Sequence, residues 1–317
     1  MTGSPPTTVL STSDLRVTEL TVYPVKGLRG IAVQGRSVGP MGLDGDRRWM
    51  VVDAEGTFLS QRSHPAMALV ETAFVNAGGV GGRGDLRDRS SLRLRLSCEG
   101  RAPVEVPADP TAGAAAGAAT AGVSPESGIA TLPATIWGHP FEALAPSPEA
   151  DAWMSDFLGE PVRLVYQPDT AVRPTDPDFA PGHRVSLADG YPVLVISEAS
   201  LAELNRRLPE PVSMARFRPN VVVGGPCEPH AEDRWRRVRI GAVAMAGVKR
   251  CARCSVTTVD PATAERGLEP LKTLATYRAE GGKVWFGQNL VPEPARTPGL
   301  VQVGDPVVVS EEGHVGP

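Results

Sequence analysis

Hydrophobic and polar positions alternate in short runs along most of this chain, and the runs stop at glycine or proline. Residues 17–25, Val-Thr-Glu-Leu-Thr-Val-Tyr-Pro-Val, mix alternation with β-branched side chains and predict a strand. Residues 48–53 predict another, Asp53-Ala54-Glu55-Gly56 supplies turn chemistry, and 57–60 returns as a strand. Further strands are expected at 68–74 and 92–97. No long 3.6-residue period interrupts them, so the first part of the chain reads as all-β.

The pattern changes near residue 149. Residues 150–159 form an amphipathic helix stopped by Gly159. Strands follow at 161–166 and 192–196. Residues 197–208 have helical spacing, with Leu201, Leu204 and Leu208 on one face and Ser197 or Ser200 as the N-cap. Strands are expected at 220–223, 235–240, 243–246 and 301–309. The fold class is therefore mainly β with a few helices (α+β). Two units are expected, 14–145 and 146–312, after a polar lead at 1–13. Residues 104–129 are rich in Pro, Ala, Gly and Ser and read as a flexible insertion. The glycine-rich stretch from Gly78 to Gly84 opens no helix and lacks a phosphate-loop pattern, so it reads as a plain loop.

Composition narrows the class. The chain has 317 residues, 41% hydrophobic and 21% charged, with room for two domains. A net charge of −4 argues against a nucleic-acid binder. Four cysteines in this length do not make a disulfide scaffold, so a reducing cytoplasm is expected. No basic and apolar leader opens the chain, and no apolar run reaches membrane-spanning length, so no membrane partner is expected.

The densest chemistry lies in Arg250-Cys251-Ala252-Arg253-Cys254, followed by Ser-Val-Thr-Thr-Val, which reads as a strand, and Asp260-Pro261. Two thiols framed by arginines suit a soft metal carried on an anionic group, because thiolate selects soft metals and guanidinium attracts anions. The spacing leaves other readings open: half of a zinc site, a redox dithiol, or two buried small hydrophobes. Only Cys98 and Cys227 remain to complete a zinc site, and neither is paired. His64, His139, His183, His230 and His314 are scattered and read as surface residues. Three more polar clusters flank strands: Tyr23-Pro24-Val25-Lys26-Gly27, Gly42 to Trp49 with Arg47, and Arg216-Phe217-Arg218-Pro219-Asn220. Each is either a solvated or carboxylate-paired basic site, such as Arg47 with Asp44 or Asp46, or part of a phosphate pocket.

These clusters occur in order with Glu269-Pro-Leu-Lys-Thr-Leu274, Tyr277-Arg278 and Phe286-Gly-Gln-Asn289. As a set they resemble the MOSC proteins (molybdenum cofactor sulfurase C-terminal domain) with their N-terminal β-barrel partner, and in particular the amidoxime- and hydroxylamine-reducing members. The resemblance implies a β-barrel-like first domain, a MOSC β-barrel second domain and a molybdenum–molybdopterin cofactor. It implies that Cys254 is the catalytic residue and protein ligand to the metal. Lys26, Gly27, Arg47 and Arg218 would hold the cofactor, mostly at its phosphate. Asn220, Ala252, Arg253, Asn289 and the Gly190-Tyr191 step would line the same pocket, with Cys251 a neighbour. The implied reaction removes oxygen from a small N-hydroxylated substrate, and the alternative is a non-catalytic cofactor or sulfur carrier. A zinc-stabilised β-protein is a third reading. Pyridoxal phosphate is not expected, since no candidate desulfurase-like domain is present. Without a cysteine-rich iron–sulfur motif, electrons are expected from a separate protein.

Overall fold

Short β-branched runs bounded by glycine and proline form strands here because each can bury one or both faces only against neighbours brought from elsewhere in the chain. The computed structural model describes residues 14–76, 90–112, 128–294 and 298–313. The polar lead, the Gly78 to Gly84 loop, His314 and most of the Pro/Ala/Gly insertion lie outside the described residues. Among the described residues the fold is mainly β with three α-helices: α1 (Pro148–Leu158), α2 (Glu198–Arg207) and α3 (Leu271–Arg278).

The largest sheet runs, in spatial order, through Val307–Glu312, Trp235–Ile240, Val243–Arg253, Lys283–Pro292, Val193–Ser197, Val221–Gly224, Arg16–Val22 and Ile31–Ala32. All its neighbours pair antiparallel except Val193–Ser197 with Val221–Gly224, which α2 connects as a crossover. An isolated bridge joins Arg16 to Pro306, the residue before Val307–Glu312. A second sheet orders Trp49–Val52, Arg163–Tyr166, His139–Leu144 and Thr131–Ile136. Two three-stranded sheets complete the fold.

The strand Arg16–Val22 lies inside the large sheet, beside residues 221–224. Helix α1 and Arg163–Tyr166 pack on the first part: Ala150, Met154, Leu164 and Tyr166 share a core with Val25, Leu28, Trp49 and Leu94.

The helices follow their local signals. Ser147 caps α1, its Oγ accepting from Ala150 N at 3.2 Å, and Gly159 ends it at φ +77°. Ser197 is the N-cap of α2, which leaves Ser200 inside the helix. Ser197 and Ser200 hydroxyls both donate to Glu232, which is wholly buried and whose pKa burial pushes up.

Several expectations change: the strand expected at 301–309 is two, Gly299–Gln302 and Val307–Glu312, because the chain turns at Val303-Gly304, and the strand expected at 68–74 starts at Glu71, after the 3-10 turn Pro65–Leu69. Ser-Val-Thr-Thr after Cys254 is a 3-10 turn, Ser255–Thr258, because Thr257 N turns back to Cys254 O and Val259 N to Val256 O. The start of the predicted insertion is ordered: Val104–Pro107 pairs with Leu92–Ser97. Residues 57–60 make only isolated bridges. The strand expected at 243–246 continues to Arg253, since Lys283–Pro292 lies along its whole length.

Candidate functional site

Strand pairing gathers the polar clusters. Arg16–Val22 runs antiparallel to Val221–Gly224, so the residues after Val22 come beside those before Val221. Trp49 N donates to Pro24 O (3.0 Å) and Lys26 N to Trp49 O (2.8 Å), which brings Arg47 alongside. Leu187 N donates to Arg47 O (2.8 Å) and adds the segment leading to Tyr191. Asn289 pairs with Leu194 on one side and Lys249 on the other, joining the cysteine-bearing strand. Seven separated segments thereby line one pocket, and all eleven residues that the family resemblance implied for the site lie on it, with Cys251 beside them, while Arg250 and Tyr23 do not.

Arg47 and Arg218 both adopt left-handed backbone conformations, with φ of +48° and +55°. Such conformations cost energy in residues with a Cβ and persist where surrounding contacts hold them. Arg47 Nη1 donates to Asp46 Oδ2 at 2.6 Å and to Asn220 Oδ1 at 3.2 Å. Asp46 is buried, and its Oδ1 accepts from Tyr23 N (2.8 Å) and Asn220 Nδ2 (3.0 Å). Burial opposes the Arg47 charge, but Asp46 outweighs it and raises the pKa. Of the two readings left open for Arg47, the carboxylate pairing is present, with Asp46 as the partner, and the same side chain also lines the pocket. Arg48 turns the other way, donating to Gln167 O (2.5 Å) and pairing with Asp169 (2.9 Å).

Asn220 reaches the pocket wall with its amide fully engaged. Its Oδ1 accepts from Leu194 N (3.2 Å) and Arg47, and its Nδ2 donates to Thr21 O (3.2 Å) and Asp46. An amide has two donor and two acceptor positions, so Asn220 positions Arg47 and Asp46 and keeps none free for a ligand.

Lys26 is buried. Its Nζ donates to Leu187 O (3.1 Å) and Asp189 Oδ1 (2.5 Å). Burial pushes its pKa down and Asp189 partly restores it. At Asp189 desolvation works against the charge, but Lys26, then Arg47 and Arg62, hold the carboxyl well below the usual carboxylate range. Gly27 follows at φ +86°, where a side chain would be strained. A Cβ at Gly190 would meet open space, so crowding does not require glycine there. Tyr191 keeps a buried hydroxyl without a partner, and burial raises its pKa.

The cysteine strand is reshaped by two bulges. Gly247 pairs with Leu290 and Lys249 with Asn289, leaving Val248 extra; Arg250 pairs with Gln288 and Ala252 with Trp285, leaving an extra residue at Phe286-Gly287. Gly287 has φ +83°, and a Cβ there would come within 2.7 Å of Ile196 Cγ1. Bulges bend a strand and re-aim its side chains, often beside active sites. Arg253 Nε donates to Phe286 O (2.7 Å) and Nη1 to Phe217 O (3.0 Å). Arg250 pairs with Glu280. Asn289 Nδ2 makes a long contact, 3.4 Å, to Arg250 O. Cys251 and Cys254 are half-buried free thiols. Burial pushes the Cys251 thiol's pKa up, against the pull of Arg253.

Among the described residues lining the pocket, six are cationic (Lys26, Arg47, Arg62, Arg216, Arg218 and Arg253) and one, Asp189, is acidic. Arg218 Nη2 and Arg253 Nη2 are buried without a hydrogen-bond partner. Burial pushes the Arg218 pKa down to about 10, which still leaves it charged at neutral pH. Unpaired buried N–H groups are costly, and a phosphate-bearing anion would satisfy them. Among the described residues, no group of three or more His, Cys, Asp or Glu side chains is arranged to hold a metal ion. Both free thiols, Cys251 and Cys254, face this cation-rich wall. The donor set thus fits an anionic, thiolate-anchored cofactor and offers no zinc cage.

Residues 182–308 match the MOSC domain family model, and residues 14–161 match the MOSC N-terminal beta barrel domain. This chain belongs to the MOSC family. It is 33% identical over 310 residues to mitochondrial amidoxime-reducing component 1 of Homo sapiens, covering 92% of this chain and 82% of that protein. It is 30% identical to mitochondrial amidoxime reducing component 2 of Rattus norvegicus, with 92% and 82% coverage. It is also 30% identical to the molybdenum cofactor sulfurase of Danio rerio, covering 93% of this chain but 34% of that longer protein. Among solved structures, the YUAD protein from Bacillus subtilis shares 17% identity over 43% of this chain and 73% of its own, at a TM-score of 0.30.

Sequence reasoning missed several contributors to this MOSC pocket. Asp189, Gln61 and Arg62 line it, and Arg173 shapes it from behind. Arg173 is buried and donates to Ser186 O, Ala188 O and Asp189 O (2.9, 2.5 and 2.7 Å). No local pattern marks it, because its partners are backbone carbonyls of a loop. His230, expected on the surface, is wedged against Tyr277 and Phe286, and burial lowers its pKa to about 4. No helix among the described residues is long and apolar enough to cross a membrane.

Proposed function

We propose that this MOSC protein holds a molybdenum–molybdopterin cofactor and reduces small N-hydroxylated compounds. The observation that carries the reading is the pair of buried, unpartnered guanidinium nitrogens of Arg218 and Arg253 in a cation-lined pocket shared with Cys254. When bound, the cofactor would supply metal-centred removal of oxygen from the substrate. The Cys254 thiolate would be its protein ligand, with Cys251 a protonated neighbour. Arg47, Arg218, Arg253 and Lys26 would bind its anionic groups. Gly27, Gly190, Tyr191, Ala252 and Asn289 would line its seat, and Asn220 would act by orienting Arg47. Electrons would come from a separate donor protein, in a cytoplasmic setting. The names of the relatives, which join amidoxime reduction and molybdenum cofactor, support this reading.

The test is purification followed by metal and pterin analysis, then turnover of hydroxylamine with reduced methyl viologen. About one molybdenum and one pterin per chain, with amine or ammonia formed, is the expected result. Zinc alone, or no pterin, overturns it. A second reading, a cofactor carrier without turnover, draws on the match to a molybdenum cofactor sulfurase. Full molybdenum loading without reduction of any N-hydroxylated compound would favour it.

A further inference from the structure

An anion-binding pocket gains nothing from a fixed carboxylate, yet Asp189 stands in this one. It is the one acidic side chain among the described lining residues, and its side chain is 74% exposed. It is built in rather than incidental. The buried Arg173 guanidinium clamps the carbonyls of Ser186, Ala188 and Asp189, and Lys26 Nζ holds Oδ1 at 2.5 Å. Its charge also reaches the thiol side of the pocket. After burial, Asp189 adds to the upward push on the Cys251 pKa.

The other charged groups of the lining are hydrogen-bond donors without acceptor capacity. Lys26 engages one Asp189 oxygen, and an ionised carboxylate has further acceptor positions. A hydroxylamine or amidoxime carries N–H and O–H donors that such a group can accept. An N-oxide carries an acceptor oxygen and neither donor, so it gains nothing from a carboxylate.

We propose that Asp189 is the substrate-recognising carboxylate of this pocket: it accepts the N–H or O–H of hydroxylamine- and amidoxime-type substrates and sets the preference for them over N-oxides. This rests on the reading of the pocket as a reductase site. The reduction served is R–NH–OH plus two electrons from the reductant and two protons, giving R–NH2 and water as the N–O bond breaks.

The experiment compares wild-type and Asp189→Asn holoprotein. Molybdenum and pterin content are measured first. Then kcat/KM is measured with hydroxylamine and benzamidoxime, and pyridine N-oxide is measured as substrate or as competitive inhibitor, with reduced methyl viologen throughout. A charge-assisted hydrogen bond predicts a fall of at least about tenfold for the two N–OH compounds, carried mainly by KM. Pyridine N-oxide should change less than about twofold, with metal content unchanged. Unchanged kinetics, an equal fall for all three compounds, or a fall that merely tracks lost molybdenum overturns the proposal. The last outcome would make Asp189 only a seat for Lys26. A loaded wild-type protein that reduces none of the three overturns the functional reading itself, and this proposal with it.

Discussion

Cys251 and Cys254 lie three residues apart and meet different surroundings. Burial pushes the Cys251 thiol's pKa up, and among the described residues its one hydrogen-bond contact is a long one, 3.9 Å, to Ala252 O. Cys254 stands at the start of the 3-10 turn, and its carbonyl, not its thiol, holds that turn through Thr257 N (3.2 Å) and Thr257 Oγ1 (3.0 Å). Replacing the sulfur therefore leaves the turn's bonds in place. Cys254→Ser is expected to abolish molybdenum-dependent reduction while the melting temperature of the cofactor-free protein stays within a degree or two of wild type. Serine oxygen is a harder donor than thiolate and a poor substitute on a soft metal. Cys251→Ser is expected to retain most activity. Full activity with full metal loading in Cys254→Ser would refute the ligand assignment, and equal loss in both variants would refute the division of roles.

The elements that carry the site are held in place by others that do not touch it. Helix α1 buries Ala150 and Met154 against the core that contains Trp49, next to the pocket residue Arg47. Its N-terminus depends on one side-chain bond, Ala150 N to Ser147 Oγ at 3.2 Å. Ser147→Ala is expected to cost about 1 kcal/mol, read as a lower denaturant midpoint at unchanged slope. Cofactor content at low denaturant should match wild type. A changed slope would mean that α1 instead melts separately from the sheet it packs on. The bulges at Val248 and Phe286-Gly287 act at the same scale, since they re-aim residues 250–253 without any change in the alternation of the sequence.

Across the whole molecule the pocket is two-sided, with Arg47 from an early loop and Arg218 from the segment before Val221. The two arginines have different partners, so their removal has different consequences. Arg47 neutralises the buried Asp46, and Arg47→Ala leaves that carboxylate unpaired. It is expected to destabilise the cofactor-free protein by about 3–5 kcal/mol as well as to weaken cofactor retention. Arg218 packs over the Tyr23 ring at 4.2 Å and has an unpartnered Nη2. Arg218→Ala is expected to reduce cofactor retention by about tenfold to a hundredfold with a much smaller effect on the cofactor-free protein. Thermal melts of the cofactor-free proteins and pterin content of the loaded ones check both. Normal retention in both variants would sink the two-sided pocket.

Local chemistry was sufficient for much of this protein. Alternation, caps and glycine stops placed α1, α2 and the strands Leu92–Ser97 and Trp235–Ile240, because those signals act within a few residues. Local chemistry left each basic cluster open as a solvated or carboxylate-paired site; the residues that line the pocket were marked by the ordered motifs around Lys26, Arg47, Arg218 and Cys254 only through their resemblance to the MOSC proteins. What local chemistry could not decide was how each side chain is used there. Whether Arg47 pairs with Asp44 or Asp46, and that Asn220 has no free hydrogen-bond position, depend on strands nearly two hundred residues apart in the chain meeting in one sheet. The 3-10 turn after Cys254 has strand-like side chains but follows the pairing limits of its neighbours. Asp189 and Arg173 carry no motif at all; a loop carbonyl clamp and a cation-lined wall exist only once the chain has folded, and they alone give those two residues their meaning.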